Sequence, residues 1–193
     1  MLVLVACEES QEVCRAFRDR GHLAFSCDIQ ECSGGMPEYH LRCDVYEVLH
    51  CKWDLIVAHP PCTYLTSAGA MRLFNKDHTI ADEDRFSKGI AAAEFFKMLY
   101  NAHCDRIAIE NPTPMKVFGL PRYSQIIEPY MFGEPWRKRT CLWLKGLPKL
   151  RPTDVVEPSG YWVGNNSLGG FRDQKVRSKT FHGIAEAMAA QWG

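Results

Sequence analysis

Trp53-Asp54-Leu55-Ile56-Val57-Ala58-His59-Pro60-Pro61-Cys62 is a short apolar run closed by two prolines. A run of this length without polar alternation, bounded by a breaker, is the pattern of a strand buried on both faces, as strands of parallel sheets are. Consecutive prolines remove two backbone donors and fix two φ angles, so the strand stops and a rigid elbow holds the Cys62 thiol just past its carboxyl end. The pattern predicts a strand over residues 54–58.

Working outward from it, short apolar runs alternate with amphipathic stretches. Toward the N-terminus, residues 2–6 and 23–27 read as buried strands, the second closing on Asp28. Residues 11–20 between them read as a helix with Val13, Ala16 and Phe17 on one face, ended at Gly21. Arg42 and Cys43 form a short strand before Asp44. Toward the C-terminus come a long helix over 84–100, with Phe86, Ile90, Ala93, Phe96 and Met98 among its apolar positions, and strands over 106–109 and 140–144. A closing helix over 181–192 turns Ile184, Ala187 and Met188 to the core. Strand–helix alternation of this kind predicts an α/β fold with a mostly parallel central sheet flanked by helices. In such sheets ligands bind at the carboxyl ends of strands, where Asp28, Asp44, the Pro60-Pro61-Cys62 turn and Glu110 all fall.

The 193 residues suit one domain, and 46% hydrophobic with 24% charged residues is ordinary for a globular chain. No apolar run approaches the roughly 20 residues of a membrane span, and the opening MLVLVACEES lacks the basic start and cleavage pattern of a signal peptide, so a cytoplasmic location is expected. Nine cysteines are an odd number without export signals, which favours reduced thiols. Cys7, Cys14, Cys43, Cys51, Cys104 and Cys141 are expected to be buried as small hydrophobes. Cys27 and Cys32 have no second pair to complete a metal site, so no metal is expected.

Net charge is zero but unevenly spread: residues 136–179 carry ten Lys or Arg against three Asp or Glu. The basic stretch is a candidate phosphate-facing surface for DNA, duplex or single-stranded; a solvated face without a partner is the alternative. Within it, residues 147–179 turn rich in Pro, Gly and Asn, which predicts a loop-rich insertion. Its Tyr161, Trp162 and Phe171 suit either base stacking or core packing.

Several residue types carry chemistry. Asp28, at the end of the second strand, suits ribose hydroxyls, and Asp44 an adenine amino group; each also suits a turn or cap. The first loop, Ala6-Cys7-Glu8-Glu9-Ser10-Gln11, has no glycines to wrap a pyrophosphate, and its two carboxylates would repel one. It is compatible with a cationic cofactor such as S-adenosylmethionine, faced by Glu8 or Glu9; helix capping by Ser10, with the acidic residues near the positive helix end, is the alternative. Cys62 is a candidate nucleophile. Glu110, in Ile107-Ala108-Ile109-Glu110-Asn111-Pro112, is a candidate acid whose burial is expected to help it retain a proton. Arg137, Lys138 and Arg139 offer three adjacent cations.

Pro60-Pro61-Cys62, Glu110-Asn111 and the Arg137-Lys138-Arg139 run together resemble the C5-cytosine DNA methyltransferase superfamily. The resemblance is nearer to short, phage-type members without a large target-recognition domain, through Val5-Ala6-Cys7-Glu8, Ala58 to Cys62, Ile109 to Pro112, residues 140–148 and residues 183–189. It implies a Rossmann-like methyltransferase fold spanning residues 1–193, with the basic insertion in place of a recognition domain. It implies S-adenosylmethionine as donor, held by Ala6, Cys7, Glu8, Ser10, Asp28, Ile29, Asp44, Val45 and Pro60. Cys62 would then attack C6 of cytosine, Glu110 would protonate N3, and Arg137 and Arg139 would complete the catalytic set. The chain departs from the family in lacking a glycine-rich first loop, in having Pro135-Trp136 ahead of the basic run, and in having Ile184 after Gly183 where an asparagine is usual.

So short an insertion raises further readings: a partner chain that supplies target recognition, a free pyrimidine nucleotide as substrate, or a noncatalytic nucleic-acid-binding protein. A zinc deaminase, suggested by His59 and Cys62, lacks the paired ligands that such a site needs.

Overall fold

Apolar runs at Leu2–Ala6 (β1) and Leu55–Ala58 (β4) lie side by side and parallel at the centre of the sheet, Val3 opposite Leu55 and Ala6 opposite Ala58. The structure, a computed structural model, describes residues 1–162 and 178–193. From β1 the chain passes through helix α1 (Glu12–Asp19) to β2 (Leu23–Asp28) and the short β3 (His40–Arg42). After β4 come a one-turn helix α2 (Ala70–Leu73), the long α3 (Glu83–Tyr100) and β5 (Ile107–Asn111). Then follow β6 (Gln125–Ile127), β7 (Trp136–Arg137), β8 (Thr140–Lys145), β9 (Gly160–Tyr161) and α4 (His182–Trp192).

Seven strands form one sheet in the order β3-β2-β1-β4-β5-β8-β6, with β8 alone running against its neighbours. β7 and β9 form a separate two-stranded ribbon. This is the Rossmann-like α/β architecture expected from the sequence, a mostly parallel central sheet flanked by helices. The chain builds outward from β1 in one direction and then restarts at β4 in the other, so the loops after β1 and β4 diverge and leave a crevice at the carboxyl edge.

Strand alternation sends side chains to two cores. Val3, Val5 and Val57 pack against Val13 and Phe17 of α1 and Ile184, Met188 and Trp192 of α4. Leu4, Ile56, Ile107 and Ile109 pack against Ala93, Phe96 and Leu99 of α3 and against Trp143, whose ring meets Phe96 edge-on at 4.9 Å. Full burial of one such aliphatic or aromatic side chain is worth about 1.5–3 kcal/mol, so the two layers fix the sheet between the helices.

The observed elements depart from the sequence reading in a few places. β3 ends at Arg42 rather than including Cys43. Ile90 is 42% exposed, because α3 turns Gly89 instead toward the core, where Phe118 lies so close that a Cβ would sit 2.1 Å from its ring. Cys51 is exposed, whereas Cys14, Cys27, Cys104 and Cys141 are buried, and among the described residues no disulfide is formed. Among the described residues no helix is long and apolar enough to cross a membrane.

Gly183, in the first turn of α4, allows a close approach: a Cβ there would lie 1.8 Å from the carbonyl oxygen of Phe132. Gly183→Ala is therefore expected to lower stability by about 1–3 kcal/mol, the usual cost of overpacking, seen as a lower urea midpoint with an unchanged slope.

Candidate active site

The ends of β4 and β5 are adjacent, Ala58 opposite Ile109, so the next residues along each strand, His59 and Glu110, emerge side by side. His59 Nδ1 lies 3.4 Å from Glu110 Oε2. One residue further, Asn111 is buried, and its Nδ2 donates to the Pro60 carbonyl at 2.8 Å. That bond ties the Pro60-Pro61-Cys62 elbow to the end of β5. Cys62 is partly buried, and its carbonyl accepts the N–H groups of Leu65 and Thr66, which turns the chain away immediately after the thiol. The Cys62 turn and Glu110 are thus held at neighbouring strand ends by polar contacts that the prolines alone do not supply.

Glu110 does not keep its proton as the sequence reading expected. Burial pushes its carboxyl up, but the hydrogen bond and charge of His59, the charge of Lys138 and the hydroxyl of Thr140 together outweigh burial and hold it below the ordinary carboxylate value. It rests as a carboxylate. Thr140, which the sequence reading did not single out, lies on this face because β8 pairs Leu142 opposite Glu110, and residues 138, 140 and 142 of an extended chain share one side.

Glu8 occupies the same face one strand further along. It is buried, and its Oε1 and Oε2 accept the backbone N–H groups of Val13 and Cys14 at 2.7 and 3.1 Å, capping α1. Of the two roles open to Glu8 in the sequence, the structure displays the one at the helix end. Ser10 is buried beside it, and Gln11, with φ 59°, starts the helix. Burial raises the Glu8 carboxyl above its ordinary 4.5, opposed by the charge of His59 and by the two N–H bonds. A raised acid favours folding relatively less once the unfolded chain has ionised. Stability should therefore fall as pH rises from about the ordinary carboxylate range toward the folded value, and Glu8→Gln should lose that segment of the pH–stability curve. Chemical denaturation across pH 4–8 is the check.

The opposite end of the crevice gathers the residues expected around a nucleoside. Burial and the charges of Asp28 and Asp44 push the Cys7 thiol up to about 12, so both carboxylates act on one point at the edge of β1. Asp28 Oδ1 accepts from Gln30 N–H at 2.9 Å, and Asp44 Oδ1 from Tyr46 N–H at 3.0 Å. Asp44 also forms a capping box with Glu47. Ile29 and Tyr46, each next to this acidic edge, are 73% and 58% exposed, while Val45 and Pro60 are buried. Exposed apolar side chains beside paired carboxylates fit an adenosine, with the ring on the apolar surface and hydroxyl or amino groups on the acids.

Of the three adjacent cations, Lys138 is the one turned to Glu110. Arg137 is exposed with its guanidinium 5.4 Å from the Tyr130 ring centroid, and Arg139 is exposed with Nη2 3.4 Å from the Tyr123 hydroxyl. A narrow crevice of about 10 Å³, enough for one water, lies against Glu110 between Lys138, Thr140, Thr180, Phe181 and Ile184. Cys62 does not line that crevice. Trp162 packs on Trp136 and Phe181 at 5.5 and 5.2 Å, a core role, whereas Tyr161 is exposed. Phe171 lies outside the described residues, as do Arg172, Lys175 and Arg177 of the basic stretch.

No protein-family model matches the sequence, and no curated protein matches it. Solved structures similar to this chain include a methyltransferase of Entamoeba histolytica, EhMeth, at 13% identity and TM-score 0.47, covering 88% of this chain and 61% of that one. A mutant of DNMT2 from Spodoptera frugiperda is similar at 15% identity and TM-score 0.40, covering 81% of this chain and 57% of that one. The chain therefore spans about three-fifths of the length of these structures.

Proposed function

We propose that the chain transfers the methyl group of S-adenosylmethionine to C5 of cytosine in DNA, through a covalent bond between Cys62 and C6 of the base. The observation that carries this reading is the clamp between strand ends. Asn111 holds the Pro60 carbonyl at 2.8 Å and His59 lies 3.4 Å from Glu110, which brings the Cys62 turn and the Glu110 carboxyl to neighbouring strand ends at the sheet's carboxyl edge.

Carbon 5 of cytosine is a poor nucleophile until something adds at C6. Cys62 supplies the sulfur for that addition, and the ring then carries negative charge that Glu110 discharges by protonating N3. Lys138, whose charge acts on Glu110, would polarise the neighbouring carbonyl oxygen, a part open in the sequence to Arg137, Lys138 or Arg139. S-adenosylmethionine, when bound, supplies an electrophilic methyl group. Asp28, Asp44, Ile29 and Val45 are the residues that would hold its adenosine, and Ala6, Cys7, Glu8, Ser10 and Pro60 border the rest of the crevice. Cys62 attacks as the thiolate, its proton passing to solvent; on elimination water takes the proton from C5, the Cys62–C6 bond breaks, and the sulfur leaves as the thiolate.

DNA would lie on the basic stretch over residues 136–179, with a partner chain open as the source of target choice. The test is incubation with tritiated S-adenosylmethionine and DNA, then digestion and separation of the nucleosides. Label in 5-methylcytidine is expected; label in an amino-methylated adenine or cytosine overturns the assignment, and label only with mononucleotide substrates moves it to a free pyrimidine nucleotide.

A further inference from the structure

We propose that His59 is a positioning residue that supplies, through Nδ1, the proton that Glu110 delivers to the base; this rests on the reading of Glu110 as the group that protonates the ring. The reaction sets Glu110 a task its surroundings oppose. A carboxylate held below its ordinary range has no proton to give when negative charge develops on the pyrimidine. Something adjacent must hold one.

His59 is the ring donor in direct contact with Glu110. Its side chain is 9% exposed and that of Glu110 18%. Nδ1 of the imidazole points at Glu110 Oε2. The other ring nitrogen, Nε2, is buried with no hydrogen-bond partner among the described residues, so Glu110 is the ring's single hydrogen-bonded route for a proton. The ionisable groups around it are Glu8 from the loop after β1, Glu110 from β5 and, beyond Glu110, Lys138 ahead of β8. Glu12, at the start of α1, acts on Glu8. Both oxygens of Glu8 accept backbone N–H groups of α1.

The step balances within the site. The bond from Nδ1 to its hydrogen breaks and the proton passes to the Glu110 carboxylate, leaving a neutral imidazole and a neutral carboxyl. As the Cys62 thiolate, its own proton already released to solvent, bonds to C6, the carboxyl passes the proton to N3 and returns to its anion. On elimination the proton retraces the route to His59. No oxidant, metal or further acid is involved.

His59→Asn is the informative variant, because its amide reaches the place of Nδ1 and donates to Glu110 but cannot ionise; His59→Gln serves if asparagine does not fold, as judged by circular dichroism. Turnover of a cytosine oligonucleotide is expected to fall about 100-fold, the lower end of what general acid catalysis contributes, with KM changed far less. In the wild type, kcat should decline as pH rises through loss of the imidazolium proton, and that limb should be absent in the variant. If the variant turns over at the wild-type rate, or is slower but keeps the alkaline limb, His59 only holds Glu110 in place and the proposal is overturned. A wild-type protein that methylates no cytosine overturns the function itself, and this inference with it.

Discussion

Cys62→Ala is expected to abolish methyl transfer to cytosine while the protein still folds and still binds S-adenosylmethionine. The thiol is partly buried beyond a proline elbow that Asn111 ties to the end of β5. Losing the sulfur atom removes the whole chemical route, because without addition at C6 the C5 carbon has no enamine character. Loss of a covalent nucleophile costs about 10⁶-fold in well-studied cases, far beyond what a displaced side chain would cost. The measurement pairs a radiolabel transfer assay with calorimetric titration of the cofactor. A variant with substantial activity would show that sulfur is not the nucleophile; one that loses cofactor binding in parallel would place Cys62 in a structural role.

Glu110→Gln should be nearly as damaging, lowering turnover by about 10²–10⁴-fold, since glutamine keeps the shape but transfers no proton. It also reports on stability, with a sign set by the direction of the shift. Glu110 is held below the ordinary carboxylate value, so its ionised form contributes stability above the range in which the unfolded chain titrates. That contribution fades as pH falls through the folded value. Acid denaturation of the wild type should therefore show a slope that Glu110→Gln lacks, and unchanged slopes would mean that His59 and Lys138 do not hold the carboxylate as the structure has it.

The large strands were legible because each is a short apolar run with a chemical full stop: Asp28 after β2, Pro60 after β4, Pro112 after β5. The two- and three-residue strands were not, since β6, β7 and β9 carry too few positions to express a period of two. The candidate site was legible as residue types and not as contacts. Nothing local in Ala58-His59-Pro60 says that His59 meets a glutamate 51 residues later. The register of β4 on β5 does, and register is a property of the assembled sheet. The same holds for the basic run. It offered three adjacent cations without choosing among them, and alternation along an extended segment, counted from Leu142 opposite Glu110, puts Lys138 and Thr140 on the side of Glu110. Glu8 had two readings of equal merit in the sequence, and only the positions of the Val13 and Cys14 N–H groups distinguish them.

The central claim is a sulfur–carbon bond between Cys62 and a cytosine ring. An oligonucleotide carrying 5-fluorocytosine tests it directly, because the fluorine at C5 cannot leave as a proton does and the adduct is trapped after methyl transfer. Incubated with S-adenosylmethionine and digested for peptide mass spectrometry, the protein should yield a cross-link to methylated fluorocytosine on the peptide containing Cys62. Methyl transfer to unmodified cytosine with no trapped adduct, or a cross-link at another cysteine, would contradict the account.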